Sequence, residues 1–121
     1  MRKRMWIILL VLYAAGVAYV SHQPLSGGSP PFPHFDKLIH ILEFGLFMLL
    51  AWKATGQRLT AAWILTLVFA GSDELHQSLI PLRDASALDF VADLVGASLM
   101  AAVVHYRILL WRFLSTRILG R

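Results

Sequence analysis

The sequence predicts an all-α polytopic membrane protein: a bundle of four transmembrane helices with both termini in the cytoplasm. Three observations carry this. Hydrophobic residues make up 58% of the 121 residues and charged residues 15%, against about 45–50% and 25% in an average soluble chain. With so few charges, several long helices cannot each have a wet face. Four apolar stretches are separated by Pro-, Gly- or charge-bearing connections. The basic residues gather on one side of the alternating topology those stretches define.

The length bounds the chain to a single domain, residues 1–121. A net charge of +4 would point to nucleic acid in a soluble protein. Here the basic residues flank apolar runs, so topology is the simpler account and no nucleic-acid partner is expected. The absence of cysteine excludes disulfides, thiolate chemistry and Cys-based zinc or iron–sulfur sites.

The first span is expected over about residues 5–22, preceded by Arg2, Lys3 and Arg4. A basic start, an apolar middle and small residues near the end also have the look of a signal peptide. Ala14 and Ala18, with Gly16 nearby, offer a small face for close helix packing. Residues 21–35 are a loop, because Pro24, Gly27, Gly28, Pro30, Pro31 and Pro33 forbid a continuing helix. Asp36 is placed to cap the second span, over about residues 36–52. Asp36, His40 and Glu43 fall at i, i+4 and i+7, on one helical face.

After a hinge with Lys53, Gly56 and Arg58, the third span runs over about residues 59–80. Its first half is apolar. Its second half carries Asp73, Glu74, His76 and Gln77, and Pro81 stops it. The fourth span, over about residues 88–111, puts Asp89, Asp93 and Gly96 on one face. Arg107, Arg112, Arg117 and Arg121 follow no single face and read as interface anchors.

With four spans, Arg2, Lys3, Arg4, Lys53, Arg58 and the four C-terminal arginines share one side, against Lys37 and Arg83 on the other. The positive-inside rule makes the richer side cytoplasmic, and Trp6, Trp52, Trp63 and Trp111 gather near that interface as an aromatic belt. Asp36, Glu43, Asp73, Glu74, Asp84, Asp89 and Asp93 then all lie on the outer half, with Glu43, Asp73 and Asp93 about 10 Å or less inside the boundary. An intramembrane ionisable residue is a functional-site hypothesis by default. Three helices that bring polar faces to one depth point to a single outward-facing cleft, with residues 72–93 forming two of its walls.

Three motifs resemble the VanZ-like family of small membrane proteins: DKLIH (Asp36 to His40) followed by Glu43, ELHQSLIPLR (Glu74 to Arg83), and Ser86 with Asp89, Asp93 and Gly96. Two positions depart from the family pattern: Leu82 stands where Gly is common, and Asp93 where Asn is common. The resemblance implies an envelope-facing protein of the bacterial cytoplasmic (inner) membrane. It also implies a link to glycopeptide antibiotic resistance, since the founding member is associated with resistance to teicoplanin.

The candidate ligand-binding residues are Asp36, Lys37, His40, Glu43, Asp73, Glu74, Gln77, Arg83, Ser86, Asp89 and Asp93. Three functions compete for them. The first is binding of a membrane lipid of the cell envelope, such as an isoprenoid phosphate or a lipid-linked sugar. Arg83 and Lys37 would hold phosphate, and the carboxylates and Gln77 would hold sugar or peptide donors. The second is a metal-assisted hydrolase or transferase acting on a lipid phosphate. Glu74, His76 and Asp89 are its catalytic candidates and His40, Glu43 and Glu74 its metal ligands. His76 and Glu74 stand about 160° apart around their helix, so they cannot face one ion together. The third is a purely structural cluster that ties the helices together. The expectation is a binder without a resident cofactor, a divalent metal being the alternative. The small interior of such a bundle favours a second copy or a membrane partner.

Overall fold

A computed structural model describes residues 3–23, 31–81 and 86–119. It has four helices: α1 (Lys3–Ser21), α2 (Phe35–Ala54), α3 (Leu59–Gln77) and α4 (Ala87–Leu119). No strand occurs among the described residues. The helix α2 is the centre of the bundle. It packs most extensively on α4 and also meets α1 and α3, while α1 and α3 touch each other only lightly.

The α2–α4 contact depends on one residue. A Cβ on Gly96 would lie 2.1 Å from the carbonyl oxygen of Ile41, and one on Gly45 would lie 3.4 Å from that of Gly96. The two backbones therefore touch, which only glycine permits at this spacing. Around them the core is built from small side chains, Ala51, Ala54, Ala62, Ala97 and Ala101, with Phe47, Met48, Trp52 and Val104 filling the gaps. Phe47 stacks on Phe69 of α3 at 4.4 Å, and Phe44 completes an aromatic group. On the small face of α1, Ala14 packs against the core, while Gly16 is exposed and a Cβ there would meet nothing within 4 Å.

The outer surface is apolar. Ile8, Val11, Leu12, Leu42, Ile64, Val68, Leu75, Leu99 and Val103 all point outward, the reverse of what water as solvent would select. Two helices, Lys3–Ser21 and Ala87–Ser115, are long and apolar enough to cross a membrane.

The helix ends refine the expected boundaries. Asp36 does not cap α2. His34 holds the N-cap position with φ 63°, and Asp36 sits in the first turn, where its charge complements the helix dipole. At the other end, Gly56 (φ 71°) and Gln57 (φ 67°) turn the chain sharply, and the Gln57 N–H reaches the Trp52 carbonyl at 2.8 Å. The helix α3 stops at Gln77, three residues early. Leu79 and Ile80 continue as tight turns onto the His76 and Gln77 carbonyls, because Pro81 disfavours helical backbone in the residue before it. The helix α4 runs eight residues past Trp111 to Leu119.

The alternating directions of the helices give the bundle two distinct ends. At one, Lys53 lies over the rings of Trp52 (4.5 Å) and Trp6 (5.7 Å). The polar residues gather at the other.

Candidate functional site

Ser86 opens α4 with a reciprocal cap. Its hydroxyl donates to Asp89 Oδ2 at 2.9 Å, and the Asp89 N–H donates to Ser86 Oγ at 3.2 Å. The S-x-x-D spacing of a capping box is legible in the sequence as Ser86-Ala-Leu-Asp89; here the Asp89 carboxylate meets the Ser86 hydroxyl. The reciprocal cap fixes the start of α4 and so the direction in which Asp89 and, one turn on, Asp93 face α2. From α2, His40 Nδ1 lies 2.7 Å from Asp93 Oδ1, and His40 Nε2 lies 3.8 Å from Asp89 Oδ1. With Asp93 ionised and the His40 ring neutral, the imidazole proton sits on Nδ1 and the lone pair on Nε2. One turn earlier, Lys37 donates to Asp36 at 2.7 Å and also to Asp89 Oδ1.

The third wall is Glu74 of α3. One ligand atom each from His40, Glu74 and Asp89 lie within 4.8 Å of one another. Two oxygens near this point are buried without a partner among the described residues, Glu74 Oε1 and Asp93 Oδ2, and Asp93 is 0% exposed. Buried acceptors without donors are uncommon in folded chains and cost free energy.

Asp73 belongs to a different network. Its Oδ2 accepts from the Ser21 hydroxyl at 3.0 Å and from Gln77 Nε2 at 2.8 Å, and Gln77 also reaches Ser21 Oγ at 3.3 Å. All three residues are buried, and together they tie α1 to α3. Next to them, at the surface, His22 Nδ1 and His76 Nε2 stand 3.2 Å apart with their rings stacked.

The structure thus divides the residues singled out in the sequence. His40, Glu74, Asp89 and Asp93 come together, with Lys37, Asp36 and Ser86 at the rim. Asp73 and Gln77 face α1, and His76 faces His22. Glu43 is outside the group formed by His40, Glu74 and Asp89; its backbone carbonyl accepts from the Tyr13 hydroxyl at 3.1 Å. Arg83 and Asp84 lie outside the described residues. Sequence reasoning missed Ser21 and His22. The adjacent pair Asp73-Glu74 signals only that two carboxylates about 100° apart on a helix face different neighbours, not which neighbours these are.

The fold is an all-α bundle with two helices long and apolar enough to cross a membrane and a polar cluster at one end. The family model described as VanZ/LLP1 matches residues 3–112, nearly the whole described chain, and the protein belongs to that family. No curated protein and no solved structure matches it.

Proposed function

We propose that all four helices cross the bacterial cytoplasmic membrane with both termini inside, and that the polar end faces outward to take the headgroup of an envelope lipid. The observation that carries this is the convergence of His40, Glu74, Asp89 and Asp93 from three helices, with buried acceptor oxygens left open on Glu74 and Asp93. A structural tie would have closed those valences, as the Ser21–Asp73–Gln77 network does. The open acceptors suit hydroxyl or ammonium donors of a headgroup. Lys37, and by expectation Arg83, suits its phosphate. The family's link to glycopeptide resistance fits a lipid of the envelope. The basic and tryptophan-rich opposite end, with Lys53 between Trp6 and Trp52, supports the orientation. Binding, not catalysis, is the proposed activity.

The test is mass spectrometry of lipid that co-purifies with the protein. An isoprenoid phosphate or lipid-linked sugar, lost in the Glu74→Gln variant, is the expected result. Only bulk phospholipid, equal in both forms, would remove the reading. For orientation, Phe32→Cys and Arg58→Cys introduce single thiols at exposed positions of a cysteine-free chain. An impermeant maleimide on intact cells should label position 32 and leave position 58 untouched. The opposite pattern would invert the topology.

A further inference from the structure

We propose that His40 Nε2, Glu74 and Asp89 form a site for one divalent transition cation, of the zinc or manganese type, with Asp93 as the positioning carboxylate behind His40. Three observations meet here. Ligand atoms of the three residues, each from a different helix, lie within 4.8 Å of one another, so a small closure brings them onto one ion with bonds of about 2.0–2.2 Å. The histidine is already oriented. Its Nδ1 is engaged by Asp93 at 2.7 Å and its Nε2 is turned towards Asp89 at 3.8 Å, the carboxylate–histidine–metal arrangement in which the outer carboxylate sets the tautomer. And the cluster is rich in acceptors: Asp89, whose Oδ1 accepts from Lys37 and Oδ2 from Ser86, and the buried oxygens Glu74 Oε1 and Asp93 Oδ2, which have no partner among the described residues.

Three carboxylates around one imidazole leave an excess of negative charge that a cation would offset. Among the described residues, Lys37 is the only ammonium or guanidinium at this end, and it sits at the rim on Asp36 and Asp89. Two carboxylates and one imidazole form a hard-to-borderline donor set, which suits manganese or zinc and not a soft ion. Three protein ligands leave coordination positions open. Under the headgroup reading, on which this last step rests, those positions receive a phosphate oxygen of the lipid.

The experiment starts with the wild-type chain in detergent, stripped of metal and titrated separately with Zn²⁺ and Mn²⁺. One cation per chain is expected. Bound Mn²⁺ should show electron-spin coupling to the nitrogen of a single imidazole, a readout that needs no variant. His40→Gln, Glu74→Gln and Asp89→Asn should each abolish stoichiometric binding. Asp93→Asn should weaken it about 10- to 100-fold. Glu43→Gln and His76→Gln should leave it unchanged, with helix content and elution profile checked for every variant. No stoichiometric binding of either ion overturns the proposal. So does coupling to two imidazoles or to none, or binding that follows His76 and not His40. Lipid co-purification is measured with and without chelator. Lipid retained by a chain that binds no cation sinks the metal site alone, and a cation bound without lipid sinks the headgroup reading alone.

Discussion

Asp73 and Glu74 are neighbours on α3, yet their carboxyl groups live in opposite chemical settings. Asp73 faces α1 and receives neutral donors from Ser21 and Gln77. Glu74 faces α2 and α4, among His40, Asp89 and Asp93, and one of its oxygens is buried with no donor. The first arrangement is finished. Within a bilayer, where helices gain nothing from hydrophobic association, such hydrogen bonds help hold the bundle together. In the second, Glu74 Oε1 has no donor among the described residues. Under the proposed function, the difference separates a carboxylate used within the bundle from one left for a ligand.

The contrast can be broken in order of force. Gly96→Val should have the largest effect. Its Cβ would meet the Ile41 backbone at 2.1 Å, so α2 and α4 must separate. The cost should reach or exceed the ~1–3 kcal/mol typical of overpacking, read as a drop in thermal midpoint, with lipid and metal binding lost together. Asp73→Ala should cost about 1–3 kcal/mol, since it strands the buried Ser21 and Gln77 donors, while leaving metal stoichiometry intact. A double-mutant cycle of Ser21→Ala with Asp73→Ala should return a coupling of about 0.6 kcal/mol, the usual size for such bonds within membranes. A coupling of zero would mean that the network is not a tie.

Glu74→Gln should cost less stability than Asp73→Ala, since it strands no donor shown among the described residues, and still abolish ligand binding. If it unfolds the chain as Asp73→Ala does, the distinction between the two residues collapses. Gly16→Ala should act in the opposite direction. The site is open, and alanine in a helix interior should raise stability by at most ~1 kcal/mol.

Much of this was written in the local sequence. Apolar stretches and proline-rich or charged breaks gave four helices in the right order. The four-residue spacing put Asp89 and Asp93 on one face, and the same spacing carried Asp36 and His40. The long-range pairings were not legible. That Ser21 would meet Asp73, and His22 meet His76, depends on how α1 lies against α3, and no periodicity within either helix encodes it. Small residues were equally ambiguous. Gly16 and Gly96 look alike in sequence, but only Gly96 sits where two backbones cross. That α4 continues as helix past the expected span has a plainer reason. Arg112, Phe113 and Leu114 are all tolerated in a helix, so a basic residue after an apolar run marks an interface, not a stop.

That extra length has its own consequence. At 1.5 Å per residue, the 33 residues of α4 form a rod about 50 Å long, against a hydrocarbon layer of about 30 Å. In the proposed orientation its start is pinned at the outer end by Ser86, so the surplus must emerge on the cytoplasmic side or be absorbed by tilt. What emerges carries Arg107, Arg112 and Arg117, with Arg117 stacked over Phe113 at 4.8 Å. In that orientation the protruding turns offer basic residues to anionic headgroups. The same continuous helix carries Asp89 and Asp93 near its other end.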